Sequence, residues 1–119
     1  MSIRNLTPHA VSVVDDHGDT IVTFVPDGVI ARARQITESA GDLVVPTTGG
    51  FRRVPLTRSA FGEPQDLPDP EEGIYLLVSL ATANAARAAG RETSDLLLTA
   101  EPVRDDQGRI IGCRSLGLF

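Results

Sequence analysis

The sequence predicts an α+β fold: a small, mostly antiparallel sheet of about six strands with one main helix. Three observations predict it. Runs rich in β-branched residues at 10–14 and 20–25 are separated by an Asp/Gly turn cluster. The continuous apolar run Ile74-Tyr75-Leu76-Leu77-Val78 precedes an alanine-rich stretch ending at Gly90, and a second apolar run follows at 95–99. A closing hairpin is legible at 102–112. The 119 residues fit one domain, 1–119.

Taken in order, Arg4-Asn5-Leu6-Thr7-Pro8-His9 starts the chain as a turn, because Pro8 pushes Thr7 away from helix. Asp15-Asp16-His17-Gly18-Asp19 joins two strands as a hairpin loop in which Gly18 supplies a positive φ. Residues 29–36 alternate, with Arg32 and Arg34 on one face of an extended strand. Residues 43–45 form a short apolar run ended by Pro46, and 51–56 form an edge strand because of Pro55. Residues 58–73, with Gly62, Pro64, Pro68 and Pro70 among acidic residues, read as an irregular surface loop. The strand–helix–strand unit near residues 74–99 places Ser79 before a helix at 80–89 with a glycine end at Gly90. The loops 15–19 and 105–109 share an Asp-Asp-x-Gly pattern, which is common turn chemistry more than a duplication.

Composition narrows the function classes. A compact chain of this mass exposes about 6,200 Å² and buries one modest core. No apolar stretch is long enough to span a bilayer, and 74–83 is interrupted by Ser79 and Thr82. A single cysteine, Cys113, excludes an internal disulfide and points to a reducing, cytoplasmic compartment. Net charge is −5, which disfavours nucleic acid as a partner. All eleven basic residues are arginine, so any anion held by a cationic side chain would meet a planar guanidinium, and lysine Schiff-base chemistry is excluded.

The candidate ligand-binding residues are His9, Arg34, Ser79, Thr82, Arg91 and Arg104. Ser79 and Thr82 open the helix, where unpaired N–H groups favour phosphate or carboxylate; Ser79 equally reads as a plain N-cap. His9 is a hydrogen-bond donor fixed beside a proline, or a structural histidine. Arg34, Arg91 and Arg104 are the arginines to clamp an anion, against salt bridging as the ordinary alternative. No glycine-rich phosphate loop occurs. His9, His17 and Cys113 make no metal-ligand spacing, and Asp66, Asp69, Glu71 and Glu72 match no calcium loop. No cofactor and no catalytic residue is assigned.

Asn5-Leu6-Thr7-Pro8-His9, Leu67-Pro68 and Pro70 before residues 74–79, and the closing Val103-Arg104-Asp105 with Gly108-Arg109-Ile110-Ile111-Gly112-Cys113 resemble a group of short, largely uncharacterised proteins of phages and their bacterial hosts. The resemblance implies an accessory role and carries no activity. The leading expectation is non-enzymatic binding, or sequestration, of a small anion such as a nucleotide or ADP-ribose-like metabolite. The alternative is a protein–protein module acting through sheet edges and the proline-rich stretch 62–70, with homo-oligomers favoured by a free edge. A third reading is a small hydrolase using His9 with Cys113 or Asp95.

Overall fold

The computed structural model describes all 119 residues as eight strands and one helix: β1 (Ser2–Asn5), β2 (Val11–Val14), β3 (Thr20–Phe24), β4 (Arg32–Thr47), β5 (Gly50–Gln65), β6 (Ile74–Leu77), α1 (Leu80–Ala88), β7 (Leu96–Arg104) and β8 (Ile110–Leu118). The chain is α+β. Six strands form one sheet in the order β1-β6-β7-β8-β2-β3; β4 and β5 form a separate two-stranded hairpin. Strand pairing is largely antiparallel, as expected, but the expected single sheet differs in two ways. The six-stranded sheet is mixed, since β1–β6, β6–β7 and β2–β8 are parallel pairs. The remaining two strands lie outside it.

The strand–helix–strand unit stands where it was expected. Leu76 and Leu77 pair in parallel with Leu96 and Leu97, and α1 makes the crossover. Ser79 Oγ accepts from the Thr82 N–H at 3.2 Å. At the other end Gly90 adopts φ +81, the Gly90 N–H donates to Arg87 O, and the Arg91 N–H donates to Ala86 O. That double closure is why the helix stops. Leu6, Ala31, Leu76, Val78, Ala83, Ala86 and Leu96 form the core beneath it.

The six-stranded sheet curls until its outer strands meet. Beyond β3, Pro26 bridges Asn5 of β1, and the Asp27 N–H donates to Asn5 O at 2.8 Å. Arg4 Nη2 and Asp27 Oδ2 add an ion pair at 2.7 Å across the same seam. The two Asp-Asp-x-Gly loops have matching bonds. Asp15 Oδ1 accepts from the N–H groups of His17 and Asp19, and Asp105 Oδ1 accepts from those of Gln107 and Arg109. Gly18 and Gly108 take φ +83 and +80.

The expected loop at 58–73 is overturned over its first half, because β5 runs on to Gln65. The ribbon has no third strand, so both its outer edges are unpaired and Pro46, Pro55 and Pro64 are accommodated there. Arg34 faces a Gly62–Glu63 bulge, left between the Ala33–Pro64 and Gln35–Phe61 pairs. A second bulge contains Ala40 and Gly41, whose φ is +94.

This arm changes the burial expected from mass. Only 15 of 119 residues are buried, and the surface is 8,259 Å² instead of about 6,200 Å². The radius of gyration is 18.8 Å, against about 13.5 Å for a compact chain of this length. No helix is long and apolar enough to cross a membrane.

Candidate functional site

The residues singled out from sequence divide into two groups. Ser79 and Thr82 line a cleft of about 490 Å³ at the root of the arm, together with Thr7, Arg32, Gln35 and Phe61. Thr7 and Ser79 also border a second cleft of about 470 Å³ that includes His9 and Cys113. Arg34 stands between two residues that line the first cleft, Ala33 and Gln35, but is not itself part of the lining. Arg91 and Arg104 are engaged elsewhere.

Arg91 is a structural clamp. Its Nη1 and Nη2 each reach the Asp95 carboxylate at 2.9 Å, Nη2 donates to Pro68 O at 2.7 Å, and Nη1 donates to Glu92 O at 2.6 Å. The guanidinium thereby ties the proline-rich stretch to the start of β7, at the end of the parallel strands away from Ser79. Arg104 Nη1 donates to Gly108 O at 2.7 Å and so braces its own hairpin loop.

Ser79 and Thr82 are also occupied, and the hydroxyl hydrogens can be followed. Thr82 Oγ1 donates to Ala31 O at 3.1 Å and lies 2.9 Å from Ser79 Oγ. Thr82 has one hydroxyl hydrogen, so Ser79 is the donor in that second bond. Both hydroxyls therefore donate within the protein, fixing the helix start to the chain entering β4. What the helix start still offers is the backbone N–H of Leu80 and Ala81, which have no intramolecular partner.

The opening motif is explained by one side chain. Asn5 is buried; its Nδ2 donates to His9 O and Phe24 O, both at 2.8 Å. Its Oδ1 accepts from the Thr7 N–H at 3.0 Å and the Thr7 hydroxyl at 2.6 Å. Every hydrogen-bonding position of the amide is used. The His9 backbone is thus fixed while its imidazole is exposed.

His9 and Cys113 share a cleft, but the arrangement does not activate the thiol. Cys113 Sγ donates to Ser12 O at 3.6 Å, and burial pushes its pKa up, against weaker lowering by backbone N–H groups. Asp95 is held by Arg91 at the far end of the strands. No three or more His, Cys, Asp or Glu side chains cluster as metal ligands would.

The most unusual surface is the arm itself, which the sequence showed only as disconnected strands and loop. Its distal half carries apolar side chains on both faces. Leu43, Val45 and Val54 share one face; Val44, Pro46, Phe51 and Pro55 share the other. Phe51 is 77% exposed, Val44 53% and Leu43 52%. Helix α1 is the element that packs substantially against the arm, and it does so at the root, where Phe61–Glu63 meet Ala85, Ala88 and Ala89. The stem between them is polar, with Thr37 and Ser39 opposite Ser59 and Thr57. The apolar run at 43–45 was the available signal: such a run marks a strand covered on both faces.

Fold and surface together define a small α+β protein with a curled mixed sheet and a projecting β-arm. Comparison with protein-family models, with curated proteins and with solved structures gives no match.

Proposed function

We propose that this chain is a non-catalytic protein-interaction module that engages its partner with the β4–β5 arm, in a cytoplasmic accessory role of the kind the phage and bacterial resemblance implies. One observation carries the reading: the distal half of the arm is apolar on both faces and uncovered. A lone two-stranded hairpin is marginal in water, and an exposed apolar patch of this extent on a folded protein marks a contact surface. The test is capture on the immobilised chain from bacterial and phage-infected extracts, beside a Val44→Asp, Phe51→Asp double variant. Proteins retained by the wild type and lost by the double variant support the reading. Identical retention by both, with circular dichroism unchanged, overturns it.

A second reading keeps a small anionic ligand, nucleotide or ADP-ribose-like, at the arm root. Arg32 favours it: this guanidinium has no carboxylate partner and lines the same cleft as the Leu80–Ala81 helix start. Binding would then rest on Arg32 and backbone N–H groups, with Arg91 and Arg104 uninvolved. A rise in Tm with ADP-ribose, ATP or pyrophosphate that Arg32→Ala removes supports this reading. No shift with any of the three counts against it.

A further inference from the structure

We infer that the partner of the arm is a second copy of this chain, and that the apolar arm tip of one copy docks on the body of the other in the groove lined by Val11, Pro102, Ile110 and Ile111. The inference rests on the arm being a docking device and adds its occupant.

Charge complementarity argues first. Residues 32–65 carry five arginines and three carboxylates, a net +2. The rest of the chain carries six arginines and thirteen carboxylates, a net −7. A basic arm meets an acidic body when two copies cross, whereas two arms laid together bring like charges into contact. Arg52 and Arg53 stand among the apolar tip residues; the groove lining itself holds no carboxylate, so the attraction is between arm and body as wholes.

Shape argues next. The groove has a volume of about 470 Å³, and its rim exposes Ile110 and Ile111 at 60% and 57%. It is open in the single copy, and each arm strand of 16 residues spans roughly 50 Å, enough to reach across a neighbour.

Area argues third. The chain exposes about 2,000 Å² more than a compact protein of its mass. A standard interface takes about 800 Å² from each partner. Donating one arm and accepting another therefore uses an area of the size that is in excess, and either a reciprocal pair or a closed ring satisfies it.

The experiment is sedimentation equilibrium with native mass spectrometry on the full chain, over micromolar to high-micromolar concentrations. The wild type is expected at a multiple of 12.7 kDa. Phe51→Asp and Ile111→Asp are each expected at the monomer mass; both positions are exposed, so the fold is retained, which circular dichroism checks. Mixing the two variants is expected to restore a dimer, since one still has a working arm and the other a working groove. Three outcomes overturn the inference. A monomeric wild type does so while leaving the arm's docking to another protein intact, as the capture experiment reads separately. An Ile111→Asp variant with the wild-type mass does so in favour of arm-to-arm pairing. A Phe51→Asp variant with the wild-type mass removes the arm from the self-assembly, and the capture experiment alone then decides whether the arm docks another protein.

Discussion

The side-chain amide of Asn5, at the end of β1, donates to the main-chain carbonyl of Phe24, at the end of β3, across the 2.8 Å seam where the curled sheet meets itself. The same nitrogen holds His9 O, so one buried residue pins three chain segments. Replacing Asn5 with Ala leaves two carbonyls without their donor. A loss of about 3 kcal/mol is expected, or roughly 10 °C in Tm. Asn5→Asp is expected to be comparably damaging, because a carboxylate cannot donate to either carbonyl. Thermal and urea unfolding of the two variants check this.

Two glycines of β8 should respond in opposite ways. A Cβ on Gly112 would lie 2.9 Å from the Ser12 carbonyl oxygen, where β2 and β8 run side by side. Gly112→Ala must move backbone and is expected to cost about 2 kcal/mol. A Cβ on Gly117 meets Ala100 Cβ at 3.7 Å, an ordinary contact. Gly117→Ala is therefore expected to be neutral or stabilising by up to about 1 kcal/mol. Chemical denaturation of the pair measures the contrast.

Arg91 is expected to matter for folding and not for ligand affinity. Arg91→Ala leaves Asp95 buried without its partner and frees Pro68 O, which predicts a loss of about 3 kcal/mol. Arg91→Lys should recover little, since an ammonium cannot make the paired bonds to both carboxylate oxygens. Unfolding of both variants in urea, beside any ligand titration, separates the two roles.

Acid should weaken the hairpin loop at 105–109. The Arg109 N–H, with further help from the Gln107 N–H and the Arg109 side chain, holds the Asp105 carboxyl below its ordinary 3.8. Asp27 is lowered as well, chiefly by its bond from Arg4. A carboxyl with a lower pKa when folded binds its proton first in the unfolded chain. The contribution of both groups is therefore whole above pH 3.8 and is lost as pH falls through their folded values. Urea midpoints measured from neutral pH down to 3 should decline at the acid end, and less steeply in Asp105→Asn. An equal decline in that variant would remove Asp105 from the effect.

Much of the fold was legible because its signals are local. The run Ile74–Val78, Ser79 and Gly90 mark a buried strand, a helix start and a helix stop by their own chemistry, and all three act as expected. Asp15 with Gly18, and Asp105 with Gly108, close their loops by bonds spanning five residues. The site residues were less legible. Arg91 and Arg104 are the right chemistry for an anion, but their partners, Asp95 with Pro68 and Gly108, are assigned by packing. The hydroxyls are likewise taken up: Thr82 donates to Ala31 O, 51 residues away, and Ser79 donates to Thr82 Oγ1.

Residue type and spacing alone therefore determine the α+β class, the helix and its ends, the two Asp-Gly loops and the all-arginine cation set. Tertiary structure decided everything that depends on which strands become neighbours: the parallel pairs, the seam held by Asn5, and the separation of β4–β5 from the sheet. The difference is one of range. Turn and cap energies are set within a few residues, whereas strand partnership is set by contacts between segments tens of residues apart. Pro46, Pro55, Gly62 and Pro64 read as interruptions when a strand is imagined inside a sheet. They are tolerated because the arm has two open edges, and only the assembled fold reveals those edges.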